Sequence, residues 1–195
     1  GAQNWQAVAS SSDGSRLVAA IRGGDIYVSA DSGADWSAVF GAANWSSVAS
    51  SADGSHLVAA INGAGIYFST NSGAAWNQAT NAPNAAWIAI ASSADGSKLA
   101  AAITNNGGIY LSSNYGQTWT RQPNAPNQNW SAIASSSDGG KLAATVSSSL
   151  NGAIYLSQAS AQTTTTAGTV GYITGAQGSA VELQYIGGGQ FMPVS

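Results

Sequence analysis

Cysteine is absent from the 195-residue sequence, which excludes disulfide bonds, cysteine-ligated metals and thiol catalysis. Charge is also scarce, since the chain has 5 Lys and Arg, 8 Asp and Glu, and a net charge of −3. Nucleic-acid binding needs a basic surface that neutralises several phosphates, and so few cations do not supply one. We therefore expect no nucleic-acid partner.

Long hydrophobic runs are missing as well. No stretch of about 20 apolar residues occurs, so we expect no segment that inserts into a membrane. No charged n-region is followed by an apolar h-region, so we expect no signal peptide within this sequence. Low charge, little Lys and abundant Ser, Thr, Gly and Asn are typical of exported bacterial proteins, which predicts a secreted or cell-surface location.

Four copies of one pattern fill residues 1–160. A Trp recurs at intervals of 40, 42 and 43 residues, an Asp-Gly pair begins eight residues after each Trp, and an Ile-Tyr pair closes each copy. Repeats one to four cover about residues 1–42, 43–84, 85–127 and 128–160. The repeating Trp residues are Trp5, Trp45, Trp87 and Trp130.

Each repeat divides into four short β segments separated by turn residues, beginning in repeat one with residues 5–10 and 16–21. Along residues 17–21 every side chain is apolar, so both faces of this segment are apolar. Such a sheet must be covered on both faces, and four-stranded blades stacked around an axis achieve this. The sequence therefore predicts an all-β fold, a β-propeller of four-stranded blades.

The first three repeats carry the pattern Ser-x-Asp/Asn-x-Gly-x-x-Trp after their third β segment. This pattern resembles the Asp-box, or bacterial neuraminidase repeat, of sialidases, sortilin-type receptors, xyloglucan hydrolases and photosystem assembly factors. The resemblance implies a propeller in which the acidic or amide side chain caps a turn and the Trp packs into the blade. The residues concerned are Ser29, Asp31, Gly33, Trp36, Ser69, Asn71, Gly73, Trp76, Ser112, Asn114, Gly116 and Trp119.

The fourth repeat and the C-terminal residues depart from this pattern. Ser157 is kept in repeat four, but Ala159 and Ala161 stand where the Asp and Gly should be. Residues 161–195 contain three further β segments separated by Gly-rich turns. We predict that they form a degenerate fifth blade that completes the ring; the alternative is a β extension on a four-bladed ring.

The repeating Trp opens the inner strand of each blade, at the end that carries the loops of variable sequence. In three repeats an Asn precedes it. Exposed Trp faces beside amides are typical of sugar-binding sites, because a sugar ring stacks on the indole while its hydroxyls bond the amides. The candidate ligand site is Trp5, Trp45, Trp87, Trp130, Asn4, Asn44 and Asn129. The alternative is that these Trp side chains pack between adjacent blades.

Four basic side chains share one register, three residues after the turn Asp of each repeat: Arg16, His56, Lys98 and Lys141. They could form an anion site, but each has an Asp three residues before it. We therefore favour a solvated turn, in which such pairs add little stability.

No metal or cofactor is expected. Asp25, Asp31 and Asp35 could form a calcium site in repeat one, but the Asp-box turn already uses Asp31. The single His lies at the exposed turn register, which does not support a metal cluster or a Ser-His-Asp triad.

The resemblance to sialidases suggests an enzyme, but the sequence lacks the residues that sialidase catalysis uses. In that family catalysis uses an arginine triad, a Tyr nucleophile with a Glu partner, and an Asp, whereas this chain has three Arg and a single Glu, Glu182. We therefore expect no enzymatic activity, and a glycosidase stays the less favoured interpretation. We predict an extracellular adhesion module that binds glycans. The alternative is a self-assembling structural subunit of a coat, fibre or appendage, whose partners are other copies.

Overall fold

The computed structural model describes residues 3–147, 152–158, 171–175 and 179–183, which form strands and no helix. Accordingly, this part of the chain has no helix suited to crossing a membrane. The strands are β1 (Trp5–Ser10), β2 (Leu17–Ser29), β3 (Ser37–Ser50), β4 (Leu57–Ala64), β5 (Ile66–Ser69), β6 (Asn77–Gln78), β7 (Ala85–Ser92), β8 (Leu99–Ile103), β9 (Ile109–Ser112), β10 (Thr120–Arg121), β11 (Trp130–Ser135), β12 (Lys141–Val146), β13 (Ala153–Gln158), β14 (Gly171–Gly175) and β15 (Ser179–Leu183).

Repeats two and three each contain four antiparallel strands in chain order, as the sequence predicted. In repeat two, β3 pairs with β4, β4 with β5 and β5 with β6. In repeat three, β7, β8, β9 and β10 pair in the same way. β3 is long because it serves as the outer strand of repeat one and continues as the inner strand of repeat two.

Repeat four shows three strands, β11, β12 and β13, among the described residues. Its altered turn residues Ala159 and Ala161 lie outside the described residues. β14 and β15 form a separate antiparallel pair, and β15 contacts β13. The predicted β segment at residues 190–194 also falls outside the described part, so the fifth blade stays a prediction.

All four inner strands begin in the same way. The repeating Trp pairs with an aliphatic residue of the next strand, and a β-bulge follows it directly. A bulge adds a residue to one strand and increases its local twist. The partners of the four Trp residues are Ile21, Ile61, Ile103 and Val146.

The turn before each outer strand is built by side chains of the repeated pattern. The Asp31 Oδ1 atom accepts the Asp35 N–H at 3.0 Å, and Asn71 Oδ1 and Asn114 Oδ1 accept the equivalent N–H groups at 2.8 and 3.0 Å. A Ser Oγ accepts the N–H of the Gly, as from Gly33 at 2.9 Å. The Gly has φ of +85° to +90° in all three turns, a conformation that favours glycine. The predicted turn caps are therefore present.

The core is divided into three apolar clusters, and each cluster lies between two successive repeats. A repeat therefore buries its two faces against different neighbours, which is the packing of radially stacked blades. Only repeats with a neighbour on both sides have both faces covered. Among the described residues, no further repeat lies against one face of repeat one and one face of repeat four.

Candidate functional site

Each internal interface joins two different kinds of face. The following repeat supplies its repeating Trp, a Val or Ile, an Ala and a Tyr, with a second Trp in repeats two and three, and we call this surface the Trp face. The preceding repeat supplies Val, Ile, Leu, Phe or Ala side chains from its second and third strands, and we call this surface the aliphatic face. Between repeats one and two the Trp face is Trp45, Val48, Ala59, Tyr67 and Trp76, and the aliphatic face includes Val18, Ala20, Ile26 and Val28.

Three of the four repeating Trp residues lie inside these interfaces. Trp45, Trp87 and Trp130 are 1%, 0% and 0% exposed. The indole N–H of Trp87 donates to the Pro83 carbonyl at 3.1 Å, and that of Trp130 donates to the Gly107 carbonyl at 3.0 Å. No ring face of these three is open to a ligand. The packing alternative therefore describes them, and the four-Trp platform is reduced to Trp5.

The Trp face of repeat one is exposed, because no described repeat lies against it. Trp5 is 53% exposed and Val8 is 69% exposed, whereas the equivalent Val48 is 7% exposed. Trp36 is 38% exposed. These side chains line an open cleft of about 750 Å³, together with Gln3, Gln6, Ala7, Ala19 and Tyr27.

The uncovered Trp face already has the geometry of the buried ones. The rings of Trp5 and Tyr27 meet edge to face with centroids 5.6 Å apart and planes at 69°. In repeats two to four the equivalent centroid distances are 5.9, 5.2 and 5.0 Å, with angles of 79°, 76° and 67°. Repeat one thus presents a preformed packing surface, because its side chains adopt the arrangement that the other repeats use against a neighbour.

The aliphatic face of repeat four also exposes apolar side chains. Ile154 is 44% exposed and Leu156 is 43% exposed. The residues equivalent to Ile154 are Ile26, Ile66 and Ile109, which are 0%, 0% and 6% exposed. The two ends of the described repeats therefore display opposite kinds of face.

Three of the four basic side chains of the turn register, those of Arg16, His56 and Lys98, reach forward to the next repeat. Lys98 Nζ donates to the Asp138 carbonyl at 2.9 Å, and the His56 ring stacks on Tyr115 with centroids 4.3 Å apart. Arg16 Nη1 donates to the Ser72 hydroxyl. These contacts describe the cations better than the predicted solvated turn, because each one holds part of an interface between repeats.

The stems of these basic residues lie against the turn glycines. A Cβ atom placed on Gly54 would be 2.6 Å from Arg16, and one on Gly96 would be 2.7 Å from His56. The same holds for Gly139 and Lys98, at 2.7 Å. A glycine is needed here for close approach as well as for its positive φ, which the sequence alone did not indicate.

The Asp residues of these turns are held ionised by local hydrogen bonds. The Ser11 hydroxyl, followed by the N–H and hydroxyl of Ser15, lowers the pKa of Asp13 to about 2. The Ser93 hydroxyl has the leading effect on Asp95 and lowers its pKa to about 2. Hydrogen bonds to an ionised carboxylate favour its charged form, so both pKa values fall.

The three candidate Asn residues tie loops together at one end of the repeats. The Asn4 carbonyl accepts the Arg22 N–H at 2.9 Å. Asn44 Oδ1 accepts Arg22 Nε at 3.3 Å, and Asn129 Oδ1 accepts the Asn106 N–H at 2.8 Å. The amides of Asn44 and Asn129 therefore already serve loop structure.

The described residues contain no group of three or more His, Asp or Glu side chains arranged to hold a metal ion. The carboxylate of Asp31, one of the three weighed for calcium, accepts the Asp35 N–H with both of its oxygens, at 3.0 and 3.1 Å. Its lone pairs are thus engaged in the turn.

No protein-family model and no curated protein matches the chain. Solved structures do match it. A GH74 enzyme from Niastella koreensis aligns with a TM-score of 0.62 at 21% identity, over 78% of this chain and 22% of that chain. The GH74 xyloglucanase from Xanthomonas campestris aligns with a TM-score of 0.61 at 16% identity, over 76% of this chain and 28% of that chain. The β-propeller domain of Cps50 (Swd1) from Myceliophteria thermophila aligns with a TM-score of 0.55 at 16% identity, over 73% of this chain and 50% of that chain.

These similarities show a β-propeller fold, as the sequence predicted. The chain spans 22% to 50% of the length of these proteins. They also contradict the prediction that the chain is not an enzyme, because the GH74 propellers are enzymes. That prediction depended on the missing sialidase residues, and a propeller can be an enzyme without them.

Proposed function

We propose that the chain is a self-assembling propeller subunit, and that the Trp face of repeat one is its interaction surface. The observation that carries this proposal is the exposure of Val8, 69%, against 7% for Val48 at the same position of repeat two. The same kind of surface packs against another blade wherever a preceding repeat exists. Uncovered apolar patches of this kind mark interaction sites in soluble proteins.

Burial of this surface would contribute most of the association energy. Burial of an exposed Val contributes roughly 1.5–3 kcal/mol. The exposed half of the Trp5 side chain adds further apolar area to the contact. The rings are already arranged against Tyr27 and Trp36, so little side-chain entropy is lost when a partner covers them. A net charge of −3 opposes association only weakly.

Sedimentation velocity across a wide range of concentration tests this proposal. We expect the wild-type chain to associate and Val8→Asp to remain a single chain, because the carboxylate would be desolvated in the contact. Asn77→Asp adds the same charge at an exposed site outside both end faces, and it should associate like the wild type. Equal association of all three proteins would refute a role for the Trp face.

Carbohydrate binding is a second candidate, favoured by the chemistry of the same cleft. The half-exposed indole of Trp5 lies beside Gln3 and Gln6, which supply amide donors and acceptors. Because one structural neighbour is a xyloglucanase, xyloglucan oligosaccharides are the first ligands to test. Saturable binding that is lost in Trp5→Ala and kept in Trp36→Ala would favour a sugar on Trp5. Both candidates fit the exported location that we propose from composition alone.

A further inference from the structure

We infer that the partner of the Trp face of repeat one is the aliphatic face of repeat four in a second copy of this chain, so that copies associate head to tail. This inference rests on the proposed function and names its partner. A head-to-tail contact joins two different surfaces, unlike a symmetric contact in which Trp face meets Trp face.

The three internal interfaces set the rule for what covers a Trp face. In each of them a Trp face meets an aliphatic face, and the repeating Trp of the Trp face is at most 1% exposed. Within the described residues the aliphatic faces of repeats one to three are covered, and that of repeat four exposes Ile154 and Leu156. A second copy therefore offers the matching surface.

The turn register adds an independent match. Each covered turn glycine receives the stem of a basic residue from the preceding repeat. A Cβ atom on Gly14 would meet nothing within 4 Å. Lys141 occupies the basic position of repeat four, so a head-to-tail contact would bring its stem to Gly14 of the second copy.

The backbone gives a third match. Ser12 N–H donates to the Ala52 carbonyl, Ala52 N–H to the Ala94 carbonyl, and Ala94 N–H to the Ser137 carbonyl, each at 2.7 Å. Within the described part of the chain this series leaves the Ser137 N–H and the Ser12 carbonyl without the equivalent bond. In a head-to-tail contact these two groups pair, and the series continues into the second copy.

Two copies supply eight of the described repeats, and propellers typically close with four to eight blades, so this inference takes residues 161–195 as the β extension and not as a fifth blade. Head-to-tail contacts form a closed ring when the rotation between copies returns to the start. A ring of two copies would bury both end faces of each copy, so the dimer is the species we expect.

Paired charge variants test the assignment. Val8→Asp and Leu156→Asp each place a carboxylate in one of the two faces, at positions that are exposed in the single chain and should fold normally. By sedimentation we expect the wild type at twice the mass of one chain and each variant at the mass of one chain. An equimolar mixture should regain a dimer, since one intact contact forms between the Leu156→Asp Trp face and the Val8→Asp aliphatic face.

The outcomes separate this inference from the proposed function. If Val8→Asp loses the dimer while Leu156→Asp keeps it, the Trp face is the interaction surface but its partner is not repeat four. If neither variant changes the mass, both proposals fail. Circular dichroism and thermal melting of each variant must match the wild type, so that a loss of dimer reports on the contact and not on folding.

A crosslink gives a second measurement that does not depend on loss of association. Because the chain has no cysteine, a Ser12→Cys/Ser137→Cys double variant offers only these two thiols. We expect a covalent dimer on a non-reducing gel after mild oxidation. On the same gel Ser12→Cys alone should run at the mass of one chain. A covalent dimer of this single variant would indicate a symmetric contact and overturn the head-to-tail assignment.

Discussion

Repeats one and two have nearly the same residues at their Trp faces and opposite surroundings. Trp45 is 1% exposed and Trp5 is 53% exposed, although each pairs with the equivalent Ile and meets a Tyr ring edge to face. The difference comes from the neighbour, because repeat one packs against the Trp face of repeat two, whereas no described repeat packs against the Trp face of repeat one. A sequence pattern thus specifies a packing surface without specifying what covers it.

This contrast is expected of a protein built from stacked units. In repeat proteins each unit contacts its neighbours, and stability is close to a sum of unit and interface terms. The end units then carry packing faces with the same side chains as the inner units, but these faces contribute no interface term to stability. Matched substitutions in repeats one and two separate the unit terms from the interface terms.

The largest expected difference is between Trp45→Ala and Trp5→Ala. Trp45 fills an interface, so its truncation should reduce the free energy of unfolding by about 3–5 kcal/mol. Trp5→Ala should cost under about 1 kcal/mol in the dissociated chain, since exposed substitutions have small effects. Urea unfolding of both variants measures the difference, and similar losses would mean that repeat one is covered within the single chain.

Much of the fold could be read from the sequence. The period of the Trp residues and the Ser-x-Asp/Asn-x-Gly turns predicted four-stranded blades, because both depend on contacts within one repeat. The turn caps of Asp31 and Asn71 follow for the same reason.

Contacts between repeats were the part that the sequence did not specify. The basic register was interpreted through the Asp three residues earlier, but Arg16 packs on Gly54 of the next repeat. The candidate sugar platform failed similarly at Trp87, which is buried by the repeat before it. Composition and spacing do not show which turn of one repeat contacts the next repeat. A glycine and a basic residue at fixed positions in every repeat were nevertheless a signal from which this contact could have been predicted.

A second matched pair concerns the turn glycines, Gly54→Ala against Gly14→Ala. Both have positive φ, 70° and 74°, so each should lose about 1–2 kcal/mol from backbone strain. In the dissociated chain Gly54→Ala should lose about 1–3 kcal/mol more, because the new Cβ would lie 2.6 Å from the Arg16 stem. Chemical unfolding gives both values, and combining Gly54→Ala with Arg16→Ala should remove most of the excess.

A third pair, Asp31→Ala against Asn71→Ala, should show no contrast. Each side chain caps the turn of its own repeat by accepting one backbone N–H, at 3.0 and 2.8 Å. Loss of the cap should cost about 1 kcal/mol in each repeat. Thermal melting of the two variants checks this, and a clearly larger loss in repeat two would show that the cap also supports the interface.

The smallest expected effect is the dependence of stability on acid pH, which should be the same in repeat one and in repeat three. Asp13 in repeat one and Asp95 in repeat three both have a pKa of about 2, below the ordinary value of 3.8. Because the folded pKa is lowered, the stabilisation is fully present above about pH 4 and is lost as the pH falls toward 2. The melting temperature of the wild type should therefore decline over this window. Asp13→Asn and Asp95→Asn should each flatten the decline to the same degree, since Ser hydroxyls of the same repeat lower both pKa values; an effect confined to Asp95→Asn would place the cause in the interface instead.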